Sequence, residues 1–181
     1  NKGHIVKREL RDGTIATGQS FAMNLRKEKF KDIKVREALS LMFNFEWSNA
    51  TLFYGLYARI NSFWENSDLA AIGVPEGEEL DLLTVLVDEG LISTEILTNP
   101  AIPGPKSGSR QLDRKNLRAA SKLLDDAGWV VGDDGKRRKE GKTLDVEFLE
   151  ASPAFDRIVN PFVENLISLG VNAKLNRIDY A

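Results

Sequence analysis

Between Asp113 and Leu175 the apolar residues switch repeatedly between helical and alternating spacing, and this pattern constrains the fold more than any other feature of the chain. Leu117, Ala120, Leu124 and Ala127 recur every three or four residues behind Asp113, a favoured N-cap, and stop at Gly128, the residue type that best ends a helix. Trp129-Val130-Val131 and the Asp134-Gly135 turn predict a hairpin reaching toward Leu144, Val146 and Phe148, which alternate with polar residues as a half-buried strand. Ser152-Pro153 predicts the start of another helix, with Ile158, Val159, Phe162, Leu166 and Leu169 as its stripe, a kink at Pro161 and an end at Gly170. Val171, Ala173 and Leu175 then alternate again. Strand, helix and strand at this spacing make a βαβ unit, so the two outer strands are expected to run parallel.

Upstream, Phe21, Met23 and Leu25 alternate within Gln19 to Leu25 and predict a half-buried strand. Asp32 then caps a helix with Val35, Ala38, Leu39, Met42 and Phe43 on one face. The aromatic segment from Phe45 to Tyr57 reads as a short helix closed by Gly55, and residues 59–75 as an ordered loop. A further helix is expected over Glu78 to Asp88, with Leu80, Leu83, Leu86 and Val87 on one face and Gly90 as its stop. Residues 98–110, rich in Pro and Gly, form a connector. Together the elements predict an α/β fold with a mixed sheet flanked by helices, in one domain or one lobe of a larger protein. Asn1-Lys2-Gly3-His4 has no Met and no signal segment, so a processed chain or a piece of a longer one is expected.

Several chemistries are excluded at this level. The chain has no Cys and one His, which removes disulfides, thiolate nucleophiles and Cys/His metal sites. The acid pairs Glu78-Glu79, Asp125-Asp126 and Asp133-Asp134 are neighbours in sequence and read as solvated surface, not as two carboxylates converging on a cleft. Lys+Arg 25 against Asp+Glu 27 leaves a net charge of -2 and no field for nucleic acid. The basic run Lys136 to Lys139 reads as a solvated turn, and residues 104–109 lack the order of a phosphate loop. No catalytic residue, metal or cofactor is expected, and no apolar run approaches the ~20 residues of a membrane-spanning helix.

One cluster invites a functional reading. Phe53, Tyr54, Tyr57, Phe63 and Trp64 gather aromatic rings near Arg59, Asn61 and Ser62, the mixture of apolar walls and few polar groups that ligand pockets use. The alternative is ordinary core. Asn61, Ser62, Phe63 and Trp64, in the aperiodic loop, are the expected ligand contacts.

The order of motifs resembles a known family. Phe21-Ala22-Met23-Asn24 followed by Phe30 to Leu39 is similar to the "fN…pf.d.rVReAL" signature of extracellular solute-binding proteins of family five, the peptide, nickel and related receptors of ABC importers. Leu117 to Trp129 resembles the family's "A..LL.eAGW" helix end. Asp134-Gly135, Gly141 to Leu144 and Leu166 to Val171 then stand where the family has a turn, a strand entry and "L..lGI.v". Phe45-Glu46-Trp47, Leu52 to Gly55 and Asn61 to Ala70 are most similar to the oligopeptide and microcin C binding subgroup. The resemblance implies a portion of the second lobe of a two-lobe, type II periplasmic binding protein, residues 1–181 forming one truncated lobe with an incomplete cleft. It implies a periplasmic, non-enzymatic importer component with an oligopeptide or peptide-like ligand and an ABC permease as partners. Self-association of the chain on its own is a further expectation. The alternative is an α/β structural or protein-interaction module, in which Phe63 and Trp64 would form an exposed patch.

Overall fold

The computed structural model describes residues 4–6, 8–10, 13–16 and 18–179. The chain divides into two compact units, one of Asn1–Ser20 with Ile60–Gly104 and a larger one of Phe21–Arg59 with Pro105–Ala181.

In the larger unit, α1 (Ile33–Leu41) starts where Asp32 accepts a hydrogen bond from the Lys34 N–H, and it buries Val35, Ala38 and Leu39 as its spacing predicts. Asn44 caps α2 (Phe45–Leu52) through the Trp47 N–H. In the smaller unit, α3 (Gly77–Asp88) fills the predicted helical segment, but none of its residues is fully buried. The chain then returns to the larger unit with α4 (Arg114–Asp126), where Asp113 Oδ1 accepts from the N–H groups of Lys115 and Asn116 at 2.8 and 2.9 Å. Strands β1 (Val130–Val131), β2 (Arg137–Lys139) and β3 (Lys142–Thr143) form an antiparallel sheet in that order. Strand β4 (Asp145–Glu150), helix α5 (Asp156–Ser168) and strand β5 (Asn172–Arg177) complete the predicted βαβ unit. Strands β4 and β5 are parallel, with Val146 opposite Ala173 and Phe148 opposite Leu175. The parallel and antiparallel pairings therefore occupy two small sheets, joined at Leu144. Its N–H donates to the Arg137 carbonyl and its own carbonyl accepts from the Asn172 N–H, both at 2.9 Å.

The core of the larger unit lies where α1, α4, α5 and these strands face one another, around Val35, Leu39, Leu124, Leu144, Phe162 and Leu166. Burying each such side chain contributes about 1.5–3 kcal/mol. Every fully buried apolar side chain among the described residues belongs to this unit.

Four expectations need correction. Residues 19–25 form no strand, because no neighbouring strand among the described residues supplies hydrogen bonds. The apolar spacing serves a ring cluster instead: Phe21 packs on Phe43, Phe148 and Phe162 at 5.2–5.5 Å. The hairpin does not extend to residues 144–148. Glu140 (φ 51) and Gly141 (φ 77) make a second tight turn that folds β3 back on β2, leaving β4 for β5. Helix α2 ends at Leu52, and Tyr54 (φ 56) and Gly55 (φ 72) form the turn beyond it. Finally, Arg137, read as part of a solvated turn, is 1% exposed, because four acceptors inside the unit engage its guanidinium. Among the described residues no helix is long and apolar enough to cross a membrane.

Candidate functional site

Asn61, Ser62, Phe63 and Trp64 lie in one turn of the smaller unit, and the local sequence explains its shape. Ser62 and Glu65 have the spacing of a capping box, and the Glu65 carboxylate reaches back accordingly. Its Oε2 accepts from the N–H groups of Asn61 and Ser62 at 3.0 and 3.3 Å. Ser62 Oγ accepts from the N–H groups of Trp64 at 3.2 Å and Ala71 at 3.3 Å. Ser67 Oγ donates to the Trp64 carbonyl at 2.6 Å and accepts from the Leu69 N–H at 3.2 Å. Asn66, at φ 65, donates through Nδ2 to the Thr14 carbonyl at 2.7 Å, and the Ala16 N–H donates to the Glu65 carbonyl at 3.0 Å. A loop without helix or strand is thus fixed by short polar side chains that bond their own backbone.

The four residues come together with different roles. Asn61 Oδ1 accepts from the Gly104 N–H at 3.0 Å, so the oxygens of Asn61 and Ser62 hold the loop. The two rings face outward, Phe63 98% and Trp64 51% exposed. Beside the turn opens a pocket of about 210 Å³, lined by Asn61, Glu65 and residues 70–73 and 101–103. Its two sides are tied by a hydrogen bond from the Ala101 N–H to the Gly73 carbonyl at 2.7 Å. Glu65 was not singled out in the sequence, although its capping-box spacing behind Ser62 was visible there.

The other aromatics belong to the larger unit. Phe53 and Tyr57 pair at 4.7 Å, and Tyr54 is exposed. Arg59 lies over the Phe45 ring at 4.8 Å and approaches Glu46 Oε2 at 3.4 Å, an oxygen that also accepts from the Ser107 N–H at 3.0 Å. The carboxyl ends of β4 and β5, where ligands commonly gather in α/β sheets, hold the Arg177–Asp156 ion pair and a hydrogen bond from the Ser152 N–H to Glu150 Oε1 at 2.7 Å. A second pocket, about 330 Å³, is bounded by Leu117, Ser121, Arg137 and Gly170. Arg137 holds structure there, since its guanidinium donates to Ser121, Asp125, Trp129 and Leu169.

Among the described residues no three His, Cys, Asp or Glu side chains converge as a metal site. The clear carboxyl shifts are structural: backbone bonds from Asn116 and then Gly108 lower Asp113, and Lys174 beside Glu147 lowers that carboxyl.

Residues 2–181 match the family described as "Bacterial extracellular solute-binding proteins, family 5 Middle". The chain is 38% identical over 181 residues to "Probable peptide-binding protein YejA" of Agrobacterium fabrum, covering 98% of this chain and 29% of that protein. It therefore spans less than a third of the length of the curated relatives it matches. Among solved structures it is similar to NikA from Brucella suis in complex with Fe(III)-EDTA (TM-score 0.55, 22% identity, 87% of this chain and 25% of that one). It is also similar to the oligopeptide-binding protein AppA from Bacillus subtilis in complex with a nonapeptide (TM-score 0.54, 19% identity, 86% and 25%). At these identities the structures speak for the fold alone, which is that of the type II periplasmic binding proteins. The family match extends over almost every residue, and the chain belongs to the bacterial extracellular solute-binding proteins of family 5.

Proposed function

We propose that this chain is a portion of one lobe of an ABC importer's substrate-binding component, which captures oligopeptides or peptide-like compounds outside the inner membrane and delivers them to the permease. The carrying observation is the family match over residues 2–181, joined to a relative named as a peptide-binding protein. The periplasm is the proposed location. The proposed ligand contacts are Asn61, Ser62, Phe63 and Trp64, with the rings as contact surface and the polar pair holding the loop. That the chain is part of a lobe is supported by its relatives' greater length and by Leu69, Leu82 and Leu91 of the smaller unit, which lie exposed. The chain alone then self-associates through such surface.

The exposure of Phe63 favours a second reading, an interaction module whose ring inserts into a partner protein. Calorimetric titration of a mixed oligopeptide pool into the full-length protein and into the 181-residue chain separates the two. Heat from the full-length protein supports the importer reading. Silence from both, with Phe63 protected in a protein complex, supports the second.

A further inference from the structure

Residues 60–104 contain nine carboxylates, from Glu65 to Glu95, and no Lys, Arg or His. The nearly balanced charge of the whole chain therefore hides a strongly anionic segment, around which cations concentrate. The 210 Å³ pocket beside the Asn61–Ser67 turn is lined entirely from this segment. Its walls are mostly small and apolar, with Ala70, Ile72, Ala101 and Pro103 among them, and Asn61 and Glu65 are its polar side chains. Each retains bonding capacity. Glu65 Oε2 is fixed by the Asn61 and Ser62 N–H groups, whereas no hydrogen bond among the described residues engages its Oε1. Asn61 uses Oδ1 for Gly104 and leaves its Nδ2 donors without a partner among the described residues. Because bonds within the unit already hold the carboxylate and both walls, the pocket is formed before any guest arrives.

We propose that this pocket binds an alkylammonium group, its charged head on the Glu65 carboxylate and its aliphatic stem against the Ala, Ile and Pro side chains. An ammonium donating to a carboxylate makes a short, charge-assisted hydrogen bond. An anionic guest would meet the Glu65 carboxylate. A purely apolar guest would cover Glu65 Oε1 without bonding it, at a desolvation cost. In a peptide this group occurs at the N-terminus and at the end of a lysine side chain. The inference rests on the peptide reading only for the source of the ammonium, not for the pocket.

The test uses the full-length protein, wild type and Glu65→Gln; glutamine keeps an acceptor for the Asn61 and Ser62 N–H groups but removes the charge. Both are titrated by calorimetry with tri-alanine, N-acetyl-tri-alanine and N-acetyl-Ala-Lys-Ala amide. Separately, n-butylammonium chloride is added while methyl NMR follows Ala70, Ile72, Ala101 and Ile102. The expected result is at least about tenfold tighter binding of an ammonium-bearing peptide than of N-acetyl-tri-alanine, lost in Glu65→Gln. Those methyl resonances should also move with n-butylammonium in the wild type alone. Preference for tri-alanine assigns the N-terminus, and preference for the lysyl peptide assigns the side chain. Equal binding of all three peptides, or identical n-butylammonium shifts in both variants, overturns the proposal and leaves the peptide reading in place. Methyl shifts with n-butylammonium and no peptide heat support the pocket and overturn the peptide reading.

Discussion

Arg137 Nη1 donates to Asp125 Oδ1 at 2.7 Å, from a side chain with almost no exposed surface to one that is half in water. The other bonds of the guanidinium go to the Trp129 carbonyl, Ser121 Oγ and the Leu169 carbonyl at 2.6–2.8 Å, so one cation fastens β2 to α4 and to the end of α5. Removing a buried, hydrogen-bonded charge leaves these acceptors unpaired and costs about 3–5 kcal/mol. Arg137→Met is expected to lower stability by that order in chemical denaturation. Asp125→Asn should cost clearly less, because water reaches Asp125. Equal losses in the two variants would contradict the asymmetry.

Asp113 governs an acid-dependent contribution. Backbone N–H groups of Asn116 and then Gly108 hold its carboxyl below the ordinary value of 3.8. A depressed carboxyl stabilises the fold fully above that ordinary value and loses this contribution as pH falls through the lowered one. At neutral pH, Asp113→Ala is expected to cost about 0.5–2 kcal/mol, as for other N-caps. Urea titrations repeated in increasingly acidic buffer should show the gap between wild type and variant narrowing only below pH 3.8. A gap that persists there would place the effect elsewhere.

Gly170 adopts φ 89, and a Cβ there would stand 2.8 Å from the Gly135 carbonyl oxygen and 3.2 Å from Arg137 Cγ. Left-handed backbone alone disfavours a side chain, and here the first obstacle is main chain that cannot swing aside. Gly170→Ala should therefore destabilise by more than the usual ~1 kcal/mol of a Gly-to-Ala change at positive φ. Thermal melting against Gly141→Ala checks this, since Gly141 also has positive φ but open space around it. Equal shifts for both would mean that the Gly135 contact is inconsequential.

Phe63 separates stability from binding. Because its ring touches little of its own unit, Phe63→Ala should change folding stability by less than about 0.5 kcal/mol. Under the proposed function the same change should weaken peptide binding by the full-length protein about tenfold or more, as for an aromatic anchor. Unchanged affinity with unchanged stability would remove Phe63 from the ligand contacts.

The helices and the parallel βαβ unit were legible because each apolar stripe is bracketed by its own signals, Asp32 and Asp113 at the starts, Gly128 and Gly170 at the ends. What local spacing could not convey was pairing. Phe21 to Leu25 alternates like a strand, yet its first ring belongs to a cluster completed by Phe43, Phe148 and Phe162, far away in sequence. Arg137 misled for the same reason, since a basic run beside a turn reveals nothing of the carbonyls and carboxylate that α4 and α5 bring to it. At the candidate site, composition picked out the turn, but only the folded loop distinguished its outward rings from its inward oxygens. The negative charge of residues 60–104 was countable from the start and was obscured by averaging over the whole chain.

Leu144 is enclosed on all sides, and its one residue passes hydrogen bonds from the antiparallel ladder to the parallel one. Neither ladder can fray past that point without releasing the other, although they share no paired strand. The two sheets should accordingly open as one cooperative unit. In native-state hydrogen exchange the amides of Leu144 and Asn172 would then carry the same protection, close to that of the global transition, while the exposed ends of β1 and β5 exchange through local fraying.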